Sequence, residues 1–367
     1  MQKILIALIA LMTLGPANVF ARKYTLDDFY KTKEKALNHR VNQIYDELSD
    51  SARIGQLLIT SAGRLGLSDE KVFALVASGK VGTVIYLKDN MASHKLRSHR
   101  IDSIAKANSR LPVIISMDAE PSLINGRISD MKDTILKTNQ ILSIEANDSI
   151  ALLINSYLKE IGVHHNYAPV CDISNGNAGI TNRSYGSDPD SVAMLARAYV
   201  TASQKDGIAA IAKHFPGHGL VVGDTHKQSV HIDGELKELS VYKPLIDAGV
   251  VAVMVGHMSV QNNEHYCTDS MPASLSRNIV TDLLRDSLGF KGIIMTDALT
   301  NMKAVTIYEN SSLLAIKAGN DMLCMPAGED KTISSILNAI KEDPFLDSQV
   351  ERSVKRVIRL KICLGLL

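Results

Sequence analysis

Eight short apolar runs, each followed by a helix-compatible stretch, restrict this chain more than any other feature. They are Gln56 to Thr60, Gly82 to Leu87, Pro112 to Met117, His164 to Val170, Ile208 to Ala212, Val250 to Val255, Gly292 to Thr296 and Asp321 to Met325. A strand with one wet face alternates polar and apolar residues. Runs that are apolar almost throughout predict a parallel sheet covered on both faces by helices. At this count and size a (β/α)8 barrel is the closed solution, and the runs alone leave an open doubly wound sheet as the alternative. A hydrophobic fraction of 46% over 367 residues supports one large core, and no repeat or low-complexity linker divides it. Lys23 to Asp50 is charged and reads as an N-terminal surface helix.

In a barrel of this kind, functional side chains gather at the carboxyl ends of the strands. The third run leads into Asp118-Ala119-Glu120, the fourth into Asp172, the fifth into Lys213-His214, the sixth into His257 and the seventh into Asp297. The fifth carries the densest chemistry, Lys213-His214-Phe215-Pro216-Gly217-His218-Gly219 with Asp224-Thr225-His226 downstream. Four of the eleven histidines lie between positions 214 and 231, among glycines and a proline that favour a fixed, irregular loop over a helix. Three readings of that density stand. His214, His218 and Asp224 are metal-ligand types, as in a metal-dependent hydrolase, although Pro216 and the glycines break the helix that would align two histidines. A polar loop with its histidines bonded to backbone carbonyls needs no reaction at all. In an extended segment, Asp224 and His226 project to the same side, so that the carboxylate holds one imidazole nitrogen and leaves the other for acid/base work.

Asp297 closes Gly292-Ile293-Ile294-Met295-Thr296, a strand too apolar to carry a carboxylate for solubility. It is the best candidate nucleophile. A retaining glycosidase needs such a carboxylate on one face of a sugar and a proton donor at the leaving oxygen. An imidazole with pKa near about 6.5 is matched to neutral pH, and an aspartate partner raises its basicity and fixes its tautomer.

The segment Lys213 to Gly219 followed by Asp224-Thr225-His226 resembles the signature of bacterial β-N-acetylglucosaminidases of glycoside hydrolase family 3, and the likeness extends through most of the chain. The resemblance implies a single (β/α)8 barrel, with Asp297 as nucleophile, His226 as acid/base and Asp224 as its partner. It implies that Asp118, Arg183 (in Asn182-Arg183-Ser184-Tyr185-Gly186), Lys213, His214 and His257 bind the sugar. Gly292 to Leu299 with Asn301-Met302-Lys303 matches the nucleophile segment. The chain departs at Glu120-Pro121-Ser122-Leu123-Ile124-Asn125-Gly126-Arg127, where the family commonly has glycines before an arginine; Arg127 is still expected to bind the sugar, with its register and the substrate preference open. With Leu367 following soon after a helix from Val350 to Leu360, the expectation is a single barrel without the second α/β sandwich domain of larger members.

The expected activity is retaining hydrolysis of terminal non-reducing β-N-acetylglucosamine in cell-wall fragments or glycans, without metal or cofactor. A neutral histidine base does not repel an incoming anion, so phosphorolysis is a variant. The same residues on the same barrel would also suit a metal-dependent hydrolase or a non-catalytic sugar-binding protein.

The first residues, Met1-Gln2-Lys3, the apolar run Ile4 to Leu14 and the ending Val19-Phe20-Ala21, read as a secretory signal over 1–21. A helical lead-in over 22–50 and a barrel over 51–367 follow. The expected location is the periplasm or outside the cell, as a monomer with no stable membrane insertion after signal cleavage. With 40 basic against 39 acidic residues, nothing points to nucleic acid. Cys171, Cys267, Cys324 and Cys363 are scattered without zinc spacing, and Cys171 and Cys324 read as buried thiols.

Overall fold

The computed structural model describes residues 23–367 apart from 175, 178 and 224–227. The expected signal segment, 1–21, lies outside the described residues, as do Asp224 and His226. Among the described residues, ten strands occur in the order β1 (Leu58–Ala62), β2 (Thr83–Tyr86), β3 (Ile114–Met117), β4 (His165–Asn166), β5 (Ala209–Phe215), β6 (His231–Asp233), β7 (Ala252–Val255), β8 (Ser259–Gln261), β9 (Ile293–Thr296) and β10 (Leu323–Cys324). Eight form one parallel sheet in the order β10-β1-β2-β3-β4-β5-β7-β9. Its ends meet where the Met322 carbonyl accepts from Thr296 N and the Ile294 carbonyl accepts from Asp321 N. The sheet is thus a nearly closed (β/α)8 barrel, and each of the eight apolar runs overlaps one of its strands.

Every residue of these eight strands is buried, as an all-apolar run requires. The helices between them begin where the sequence supplies caps. Asn90 accepts from Ser93 N, Ser143 from Ala146 N, and Asp188, followed by Pro189, from Ser191 N. Each such cap satisfies a helix-end donor at a gain of about 1 kcal/mol, so the chain turns back along the barrel at defined points. At the β9–β10 junction, buried Asp321 accepts from Ile294 N, Ser353 Oγ, Arg285 Nη2 and Arg356 Nη1, tying the final helix Pro344–Cys363 to the sheet.

Two features differ from expectation. β6 and β8 pair parallel to each other outside the barrel. Each is three residues long with one central apolar residue, too little pattern to read. The lead-in is also less of a surface feature than its charge suggests. Its helix starts only at Lys35, after a 3-10 turn at Leu26–Asp28, and Tyr24, Leu26, Phe29, Leu37 and Val41 are all buried. Tyr30 donates to the Val250 carbonyl at 2.5 Å, just before β7, so the lead-in closes the amino end of the barrel. All four cysteines are free, with Cys171, Cys324 and Cys363 buried. No helix among the described residues is long and apolar enough to cross a membrane.

Candidate active site

The carboxyl ends of β3, β4, β5 and β9 bring four carboxylates and two bases together. Lys213, near the end of β5, is buried, and its ammonium lies 2.5 Å from Asp118 Oδ1 and 2.8 Å from Glu120 Oε2, both just beyond β3. Arg183, from the loop after β4, grips Glu120 with Nε at 2.6 Å and Nη2 at 2.9 Å. Arg127 donates from Nη2 to Asp118 Oδ2 at 2.8 Å and from Nε to the Asp118 carbonyl at 3.2 Å. Two acids and three cations thus offset one another where solvent is scarce.

Burial alone would raise both acids. Lys213, with Arg127 and Arg183, holds Asp118 well below the usual carboxylate range, and Lys213 with Arg183 lowers Glu120 in the same way. Each Asp118 oxygen keeps a lone pair for a ligand hydroxyl, because a carboxylate oxygen accepts more than one bond.

His214 follows Lys213 on β5. Its Nδ1 lies 2.7 Å from Asp172 Oδ2, and Asp172 Oδ1 accepts from the backbone N–H of His214 at 3.2 Å and of His218 at 2.9 Å. Burial opposes charge on Asp172, yet His214, His218 and these donors bring it down to about 2. His218 packs edge-on against His214, and burial pushes it down to about 4, so it is neutral at pH 7. With His214 Nδ1 engaged by Asp172, the imidazole is oriented as a hydrogen-bonding group. No three histidine, cysteine or acidic side chains among the described residues are grouped to hold a metal ion. Asp224, the third ligand of the metal reading, lies outside them.

Asp297 stands just past β9, with its Oδ1 accepting from Ala298 N at 2.7 Å. Burial raises it, but His214, His257, the Ala298 N–H and Lys213 together bring it below the ordinary value, which keeps it ionised. A cavity of about 300 Å³ connects these groups, with Asp118, Arg127, Arg183, Lys213, His214 and Asp297 on its wall and Tyr167, Met254 and Met302 as its apolar part. A larger cleft, about 390 Å³, opens beside it across Thr300 and Asn301 but holds none of the converging charges. The chemistry belongs to the smaller one.

The altered segment after Asp118 does not keep Arg127 away. Glu120 and Leu123 start a short helical turn, Ile124–Arg127, whose last residue points back to Asp118. His257, expected to contact sugar, is placed differently. Its Nδ1 lies 2.7 Å from Ser274 Oγ and its Nε2 2.8 Å from the Ala298 carbonyl, so both nitrogens serve the protein. It steadies the segment that follows Asp297. Glu120 and Asp172 show in the sequence only as strand-end carboxylates. Their part in orienting Arg183, Lys213 and His214 appears only in three dimensions.

The arrangement presents an ionised carboxylate beside a polar, charge-lined cavity sized for one small polar ligand. A model of the glycosyl hydrolase family 3 N terminal domain matches residues 51–360. The beta-hexosaminidase of Nitrosomonas eutropha is 29% identical over 307 residues, covering 77% of this chain and 84% of that protein. The Beta-N-acetylglucosaminidase/beta-glucosidase of Cellulomonas fimi is 31% identical over 231 residues, 59% of this chain but only 41% of that protein. Among solved structures, a family 3 beta-N-acetylglucosaminidase from Paenibacillus sp. str. FPU-7 superposes with a TM-score of 0.79 at 28% identity, covering 87% of this chain and 63% of that one. The chain thus spans less than two thirds of the Cellulomonas and Paenibacillus proteins.

Proposed function

The chain belongs to glycosyl hydrolase family 3, and from that premise we propose that it is a retaining exo-glycosidase that removes terminal, non-reducing β-N-acetylglucosamine. One observation carries the reading: ionised Asp297 borders the same cavity as Asp118, Arg183, Lys213 and His214. A nucleophile open to the cavity is of no use to a protein that only binds sugar. The relatives named beta-hexosaminidase support the acetamido sugar.

In the first step an Asp297 oxygen attacks the anomeric carbon, and the bond to the leaving oxygen breaks with its electron pair on that oxygen. His226, protonated and partnered by Asp224, supplies the proton. In the second step His226 takes a proton from water, whose oxygen attacks the same carbon, and the Asp297 carboxylate departs. Two displacements return the original anomeric configuration. Asp118, Arg183, Lys213 and His214 hold the ring hydroxyls through charge-assisted bonds that fix the sugar over Asp297. The assignment of His226 and Asp224 rests on their spacing and on the family signature.

The segment 1–21 supports export, and cell-wall fragments or glycans outside the cytoplasm are the proposed substrates. The test is turnover of an aryl β-N-acetylglucosaminide and an aryl β-glucoside by protein beginning at Arg22, with and without phosphate. Preference for the acetamido sugar, lost in His226→Ala, supports the proposal. Phosphate-dependent release of a sugar phosphate would make the protein a phosphorylase, and no turnover of either sugar would overturn the enzyme reading.

A further inference from the structure

Arg127 reaches the cavity wall from the short turn Ile124–Arg127, and a residue outside the cavity fixes where that turn ends. The Arg127 carbonyl accepts two hydrogen bonds, from the Asp89 backbone N–H at 3.0 Å and from His94 Nε2 at 3.2 Å. The Asp89 carbonyl in turn accepts from Ser129 N at 2.8 Å. The segment 127–129 is thereby tied to the chain leaving β2 and to the first turn of the helix Met91–Ala107. Arg127 directs its guanidinium at Asp118, through Nη2 to Oδ2 at 2.8 Å and through Nε to the carbonyl at 3.2 Å. Carbonyl and guanidinium belong to one residue, so the anchor on the first sets the reach of the second.

His94 is itself held on several sides. It is fully buried, and its ring stacks on Tyr86 with centroids 5.1 Å apart and planes 13° apart. Its Nδ1 lies 3.4 Å from Arg97 Nη1. A guanidinium only donates and a carbonyl only accepts, so one form of the imidazole satisfies both neighbours: Nδ1 accepts from Arg97, and Nε2–H donates to the Arg127 carbonyl. Burial, with the charge of Arg97, lowers His94 below its ordinary pKa, in keeping with that neutral form. Arg97 is buried in turn, with Nη2 3.0 Å from Asp89 Oδ2 and Nε 2.6 Å from Asp69 Oδ1. Those carboxylates would join the helix to the end of β2 without an imidazole. What His94 adds is a directional donor aimed at the one residue of the turn that lines the cavity.

We propose that His94 is a positioning residue that sets the register of Arg127 against Asp118, and so shapes the wall on which the sugar hydroxyls are held. The proposal rests on the glycosidase reading.

The test sets His94→Phe, which keeps a ring on Tyr86 and removes the donor, against His94→Gln, which removes the ring and keeps an amide donor. Loss of one buried bond predicts that kcat/KM on an aryl β-N-acetylglucosaminide falls roughly three- to tenfold in His94→Phe and stays within about twofold of wild type in His94→Gln. In an Arg127→Met background, His94→Phe should change kcat/KM by less than about twofold, because the residue it acts through is gone. Equal losses in the two variants, a larger loss in His94→Gln, no loss in either, or a His94→Phe loss that persists beside Arg127→Met would each overturn the proposal, since packing alone follows the ring and not the donor. Nitrogen NMR of the wild-type imidazoles is a second readout that needs no variant to fold. His94 is expected to carry its proton on Nε2 alone at pH 7, and a proton on Nδ1 would contradict the bond. A wild type that turns over no glycoside would overturn the glycosidase reading and the role proposed here with it, whereas an active wild type with the wrong pattern among the variants overturns the proposal alone.

Discussion

The Nδ1 atom of His214 lies 2.7 Å from Asp172 Oδ2, with both side chains buried at the carboxyl end of the barrel. The residue before His214, Lys213, is committed to Asp118 and Glu120. Consecutive positions on β5 thus serve two carboxylate systems, and the cavity between them is shaped by charges that are already paired before any ligand enters. That is preorganisation, and it costs the protein nothing further at the moment of reaction.

Asp172→Asn should keep the shape of this contact and remove its charge. A hydrogen bond to a charged group contributes about 1.5–3 kcal/mol, so kcat/KM is expected to fall roughly 10- to 100-fold. Steady-state kinetics on an aryl glycoside measures this, with thermal unfolding showing that the variant is folded. An unchanged kcat/KM would mean that His214 needs no orienting partner.

Lys213→Met should be felt in stability as well as activity. It leaves Asp118 and Glu120 buried with their principal cation gone, a loss of roughly 3 kcal/mol or more. Both acids have lowered pKa values in the folded protein, so their contribution is present above the unfolded values and is lost as pH falls through the folded ones. The gap between wild type and variant in urea unfolding should therefore narrow below about pH 4.

Lys361 makes the opposite kind of prediction, far from the site. It is fully buried with Gln56 Oε1 as its hydrogen-bond acceptor at 2.5 Å, and burial pushes it down to about 7. The folded state resists the proton that the unfolded chain accepts, so wild type is penalised at low pH and gains stability as pH rises from about 7 towards 10.5. Lys361→Met should be more stable than wild type at pH 6, with the advantage shrinking on the alkaline side. Chemical denaturation at pH 6 and pH 9.5 checks it.

The barrel is legible in the sequence because its strands are buried on both faces. Runs such as Gly292 to Thr296 have no polar interruption to confuse the pattern, and five of the eight lead into a candidate functional side chain. Asp118, Arg127, Arg183, Lys213, His214 and Asp297 stand out in the sequence and border one cavity. What the sequence hides is partnership across distance. Arg183 and Glu120 are 63 residues apart, His214 and Asp172 are 42 apart, and no local pattern joins them. The imidazole of His257 looks like a ligand for sugar until Ser274 and the Ala298 carbonyl are seen to occupy it.

The most direct test of the account is to trap the intermediate. A 5-fluoro-N-acetylglucosaminyl fluoride slows the second displacement, so the glycosyl-enzyme should accumulate and be visible by intact mass and peptide mapping. One sugar per chain is expected, attached to Asp297 and absent in Asp297→Ala. A label on any other residue, or turnover of a natural glycoside to the inverted anomer without a trapped adduct, would contradict it.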